Sequence, residues 1–191
     1  MRIERILNEN WTFALSENEP ADTAFAPVSI PHDWAVTNPL DKDMPYGESQ
    51  GFYPRGQIGW YRCSFSVDSL DRFNHCMLVF DGIYECSTVW LNGVELGGHH
   101  YGYSAFRLEA SNAVQPGNNT LMIKVDCTHE PPDRWYSGCG LYRTVTWIQT
   151  EEKSLDPWNT IVRSEIHDNH AKVHIVTGCD YPVRCRLIDE G

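Results

Sequence analysis

The sequence predicts a nearly all-β fold, and three observations carry that reading. Apolar and polar residues alternate at period two through several segments. No stretch of a dozen residues carries a helical stripe. Turn formers are plentiful, with 14 Gly and 11 Pro in 191 residues. Alternation puts every second side chain on one face, the pattern of a strand with one buried side. Aromatic residues make up 12% of the chain, with seven Trp and nine Tyr, which suits sheets and carbohydrate surfaces better than helical bundles.

Taken in order, Trp11, Phe13 and Leu15 alternate with polar or small neighbours. Tyr61, Cys63, Phe65 and Val67 do so against Arg62, Ser64 and Ser66. Apolar runs flank Asn92-Gly93, and this pair accepts the two positive φ angles that a type I′ hairpin turn needs. A second turn, Gln115-Pro116-Gly117-Asn118-Asn119, precedes the alternation of Leu121, Ile123 and Val125. A strand around Val145 and Trp147 ends near Glu151-Glu152-Lys153-Ser154. Beyond it, Val173 and Ile175, then Val183, Cys185 and Leu187, suggest about three more strands. Three strands cannot close a sandwich. Residues 1–150 are therefore read as one domain and 151–191 as the truncated opening of a second β domain. Three irregular stretches, 31–57, 97–104 and 128–140, are rich in aromatic and charged groups; long loops in compact β domains are often functional.

Composition excludes several functions. A net charge of −11 repels nucleic acids and anionic membrane surfaces. The longest apolar runs, such as Met77-Leu78-Val79-Phe80, are strand-sized and predict no transmembrane helix. The N-terminal residues carry Arg2 and Arg5 without an apolar signal core. Seven cysteines form no C-x-x-C pair, and an odd number without a signal favours reduced thiols in a cytoplasm.

Chemical motifs are sparse. His99-His100, His167, His170 and His174 lack metal-ligand spacing, so no metal or cofactor is expected, although a structural cation is compatible with such a fold. No Walker loop, dinucleotide fingerprint or G-x-S-x-G elbow is present. Acidic pairs such as Asp41/Asp43 and Glu151/Glu152 read as solvated faces, because glycosidase chemistry needs two carboxyls facing each other across one sugar. Sugar recognition is better served. Aromatic rings stack on pyranose faces while Asp, Asn and Arg take the hydroxyls. That mixture occurs in Pro31-His32-Asp33-Trp34, Gly59-Trp60-Tyr61-Arg62 and Pro132-Asp133-Arg134-Trp135-Tyr136. Trp60 and Trp90, inside strand patterns, read as packing residues. For Asp133, Arg134 and Trp135, packing and sugar contact are evenly matched.

The order of these motifs is similar to that of a known family. Pro31-His32-Asp33-Trp34, Gly59-Trp60-Tyr61-Arg62, Phe80-Asp81-Gly82-Ile83-Tyr84, Val89-Trp90-Leu91-Asn92-Gly93, Gly102-Tyr103-Ser104-Ala105-Phe106 and the run Arg134 to Arg143 resemble the N-terminal sugar-binding domain of glycoside hydrolase family 2. The match runs from about Trp11 to Gln149. The resemblance implies a jelly-roll β-sandwich of the galactose-binding-domain-like kind, followed by a truncated immunoglobulin-like β-sandwich. It also implies a catalytic barrel, beyond this sequence, carrying both glutamates. No catalytic residue is expected within the chain.

In several family members an Asp nine positions before the final Arg of this motif reaches the active site. Here that count from Arg143 gives Arg134, with Asp133 one residue earlier. The resemblance thus makes Arg134, Asp133, Trp135 and Asp33 the candidate substrate-binding residues. Asp33 has an alternative role as a turn cap. The implied parent is a cytoplasmic retaining hydrolase of terminal β-D-galactosides, with the missing barrel as partner and homo-oligomerisation compatible. The alternatives are a β-glucuronidase or β-mannosidase, a free-standing carbohydrate-binding module, or a purely structural scaffold.

Overall fold

The structure, a computed structural model, describes residues 2–129 and 138–188. Twelve strands follow in chain order: β1 (Arg2–Ile6), β2 (Trp11–Leu15), β3 (Ala26–Val28), β4 (Ile58–Val67), β5 (His75–Phe80), β6 (Cys86–Leu91), β7 (Val94–His99), β8 (Phe106–Glu109), β9 (Gly117–Asp126), β10 (Val145–Thr150), β11 (Thr160–His167) and β12 (His170–Thr177). One sheet runs β3-β2-β4-β9-β6-β7, a second runs β1-β10-β5-β8, and β11 pairs only with β12. Every pairing between these strands is antiparallel. The first two sheets face each other as the expected β-sandwich.

The alternation in the sequence becomes the two faces of each sheet. On β4, Tyr61, Cys63, Phe65 and Val67 are buried while Ser64 and Ser66 face water. On β9, Leu121, Ile123 and Val125 are fully buried. From the opposite sheet Leu78, Phe80, Val145 and Trp147 close the core, and the Phe65 and Trp147 rings meet with centroids 5.1 Å apart. Each such apolar side chain stabilises the fold by about 1.5–3 kcal/mol relative to exposure. Trp60 and Trp90 point to the other face of their sheet. They stack on each other at 5.9 Å, and the Trp60 indole donates to the Ser16 carbonyl, so both are packing residues.

The Asn92-Gly93 turn joins β6 to β7 with φ of 52° and 81°, the two positive angles that a type I′ turn requires. Buried Asn119 links it to the second turn. Its Oδ1 accepts from Gln115 N–H and Asn92 Nδ2, while its Nδ2 donates to the Gln115 and Gly117 carbonyls.

Three details depart from the pattern reading. Among the described residues the tail holds two strands, because Val183, Cys185 and Leu187 pair with no described residue and Leu187 stays 90% exposed. Alternation marks a strand only where a neighbour can take its backbone hydrogen bonds. The stretch 31–57 holds two single-turn helices, α1 (Trp34–Thr37) and α2 (Gly47–Gln50). Strand β8 is too short for its period to show; it exists because its residues pair with Met77–Phe80.

Candidate functional site

The described ends of the 128–140 stretch meet the 31–57 and 97–104 stretches at one corner of the sandwich. After a cis Ile30–Pro31 bond, Asp33 caps α1, its Oδ1 accepting from Ala35 N–H at 3.0 Å and Val36 N–H at 3.3 Å. The same oxygen accepts from Cys139 N–H at 3.0 Å. Trp34 N–H donates to the Cys139 carbonyl at 3.1 Å and His32 N–H to the Leu141 carbonyl at 2.8 Å. Residues 31–34 thereby hold the C-terminal end of the 128–140 stretch.

Other residues hold its N-terminal end. Cys127 N–H donates to the Gln57 carbonyl at 3.0 Å, and its thiol donates to the Tyr84 carbonyl at 3.3 Å. Tyr84 and Gly140 exchange both backbone hydrogen bonds, at 2.9 and 2.6 Å. From the 97–104 stretch, Gly102 accepts from the Tyr142 hydroxyl at 2.6 Å, and the Tyr103 ring packs edge-on against Tyr84 at 5.6 Å. Tyr101 and Tyr103 lie beside each other and remain 52% and 37% exposed. They present aromatic surface to solvent at this corner.

Beneath the corner lies a charged pair that the sequence reading missed. The Arg55 and Glu85 side chains are 2% and 4% exposed, with Nη2 and Oε2 3.7 Å apart. His129 Nδ1 lies 3.6 Å from the other Glu85 oxygen. Arg55 falls within a stretch flagged as irregular, and Glu85 directly follows the Phe80–Tyr84 motif. Neither has a local pattern that predicts burial. A buried ion pair is set by what surrounds it.

Burial controls the titrating groups here. His32 Nδ1 and the Tyr61 hydroxyl are hydrogen-bonded at 2.7 Å. Burial lowers the His32 pKa below its ordinary 6.5, outweighing the opposing Asp33 charge. Burial raises Tyr61 well above the usual phenol range, and it raises Tyr84 with help from the Glu85 charge. His32 and Tyr61 are therefore a neutral pair at neutral pH.

Of the four candidate substrate-binding residues, Asp133, Arg134 and Trp135 lie outside the described residues. Asp33 is at the corner, and its carboxylate ties three backbone N–H groups. The sequence reading missed His32–Tyr61, Tyr84 and the Tyr101–Tyr103 pair as parts of one site, although it had flagged the segments around them. Among the described residues no group of three or more His, Cys, Asp or Glu is gathered for a metal ion. At the corner, Asp33 serves as a cap and Glu85 as an ion-pair partner, not as facing acids across a sugar. The arrangement holds a loop stem rigidly next to exposed aromatic rings, which suits contact with a ligand whose chemistry is performed elsewhere.

Comparison with known proteins gives the family. Residues 56–154 match the family described as glycosyl hydrolase 2 galactose-binding domain-like. A beta-galactosidase of Bacteroides ovatus, BoGH2A, is 35% identical over 178 residues, covering 89% of this chain and 21% of that protein. A putative beta-glucuronidase of Formosa agariphila is 36% identical over 166 residues, covering 84% of this chain and 16% of that protein. The crystal structure of a beta-glycosidase from Bacteroides vulgatus superposes with a TM-score of 0.78 at 26% identity, covering 94% of this chain and 25% of that one. The chain thus spans about a fifth of the length of the curated relatives it matches.

Proposed function

The chain belongs to glycoside hydrolase family 2, and from that premise we propose that it is the non-catalytic N-terminal sandwich of a retaining β-D-galactosidase. In this reading a barrel supplied by the rest of the polypeptide carries both glutamates. The chain braces that barrel and extends the 128–140 stretch toward the sugar. The supporting observation is the convergence of the three loops, with Asp33 and Tyr84 tying both ends of the stretch that bears Asp133, Arg134 and Trp135. A β-glucuronidase is the second reading, because one relative at comparable identity carries that name.

Residues 151–191 open an immunoglobulin-like sandwich in this proposal. Its support is the β11–β12 hairpin, which leaves Val162, Ile166, Val173 and Ile175 exposed for a facing sheet. The cytoplasmic location is part of the proposal too. It rests on the unpaired cysteine pattern, and fractionation of the native host would test it.

The candidate polar residues act by positioning. A hydrogen bond to a charged group contributes about 1.5–3 kcal/mol, and aimed at an axial hydroxyl it discriminates galactosides from glucosides. The experiment is to read the gene downstream of Gly191, express its full product and assay aryl β-galactosides, β-glucuronides and β-mannosides. Galactoside hydrolysis with retained anomeric configuration is expected, and preferential glucuronide turnover would replace the first reading with the second. In that enzyme Arg134→Ala and Asp133→Ala should each lower kcat/KM by about 10- to 100-fold. Unchanged kcat/KM in both variants would remove the 128–140 stretch from the substrate site.

A further inference from the structure

We propose that Tyr101 and Tyr103 form an accessory carbohydrate subsite, stacking on a pyranose of the substrate beyond the galactose that is cleaved. The galactosyl identity of that sugar chain rests on the function proposed above; the stacking surface itself does not.

The run Tyr101-Gly102-Tyr103 sets a buried glycine between two exposed tyrosines. Its backbone is fastened from both sides. Gly102 O accepts from the Tyr142 hydroxyl at 2.6 Å, and a Cβ at Gly102 would strike the Tyr84 ring. Behind the turn, His99 Nε2 and the Ser104 hydroxyl are hydrogen-bonded at 2.8 Å. The His99 ring in turn stacks on buried Phe106, with centroids 4.7 Å apart. These ties hold the segment carrying both rings in place before any ligand arrives. A preorganised surface loses little entropy on binding, and tyrosine offers a large contact area with few side-chain torsions to freeze.

The shape and surroundings of the pair suit a sugar. The two ring centroids lie 5.6 Å apart with their planes inclined at 58°, so the rings form an open V. The stretch 97–104 contains no aliphatic residue, and the next exposed side chain is His100. A pyranose fits this setting. Its C–H face lies on one ring, its edge meets the other, and its hydroxyls stay among polar groups and water. A protein partner would need a contiguous apolar patch, whereas the apolar surface of this stretch is confined to two phenol rings that carry their own hydroxyls.

Position assigns the subsite to the substrate. Tyr103 packs on Tyr84, and Tyr84 exchanges both backbone hydrogen bonds with Gly140. The V therefore stands beside the stem of the 128–140 stretch, which the proposed function directs toward the cleaved sugar. A pyranose on the V is then a further unit of the same sugar chain. The substrate class is an oligosaccharide ending in galactose, not a simple alkyl galactoside.

The test labels the 191-residue chain with 3-fluorotyrosine and titrates it with β-linked galactotriose under fluorine NMR. Loss of one signal in Tyr101→Phe and of another in Tyr103→Phe assigns the pair. Both signals should shift in a saturable way, with a Kd of about 1–10 mM. The signal of Tyr46, which is as exposed as Tyr101, should stay in place. Tyr101→Ala should weaken binding about tenfold and Tyr101→Phe should retain it, because stacking needs the ring and not the hydroxyl. Near-ultraviolet circular dichroism checks that each variant is folded, and Tyr103 is changed only to Phe because it packs on Tyr84. Stationary Tyr101 and Tyr103 signals, shifts no larger than that of Tyr46, or an unchanged Kd in Tyr101→Ala would overturn the subsite. No turnover enters these readouts, so a negative result leaves the glycosidase reading standing, and failure of that reading shows only in the hydrolysis assay above.

Discussion

Gly140 sits where the corner is tightest. Its φ is +131°, and a Cβ there would come within 2.6 Å of the His32 carbonyl oxygen while also striking the Tyr61 hydroxyl. Backbone oxygen cannot move aside as a flexible side-chain tip can, and the angle itself is strained for any L side chain. Gly140→Ala should cost about 3 kcal/mol or more, read as a lowered urea midpoint. His32 makes a prediction of a different kind. Its folded pKa lies below 6.5, so the unfolded chain binds the proton more readily. Its contribution is complete above pH 6.5 and is lost as pH falls through the lower folded value. A His32→Phe variant should therefore show a flatter decline in stability just below pH 6.5. An equal slope in wild type and variant would count against the neutral His32–Tyr61 pair.

At the scale of elements, turns and long strands were readable where their signal is local. Asn92-Gly93 dictates its own backbone angles, and β4 and β9 each hold ten residues, enough for period two to stand out. Strand β8 carries no local signal and the 183–187 segment carries a misleading one for the same reason: pairing is supplied by neighbours distant in sequence. Asn119 shows how elements are joined. It is 1% exposed and spends its amide on both turns of the β6–β9 region. Asn119→Ala strands the Gln115 backbone groups and should cost about 2–3 kcal/mol in equilibrium unfolding. An Asn92→Ala variant should couple to it in a double-mutant cycle, because the two side chains share a 2.8 Å hydrogen bond.

For the whole molecule, stability rests on the contact between the two large sheets. Trp147 is 1% exposed and meets Phe65 across that interface, so Trp147→Ala should destabilise the chain by about 3–5 kcal/mol in thermal or urea unfolding. The sequence alone determined the class of fold, the hairpin, the buried faces and the family, because each is written in local periodicity or in a fixed order of motifs. It also singled out three loops as candidate functional segments from their composition. Only the tertiary structure decided that these loops share one corner. The same holds for Asp33 reaching Cys139, and for Arg55 being buried against Glu85. Residues far apart in the chain acquire a common site only when packing brings them together, and no local pattern encodes which distant partner a side chain will meet.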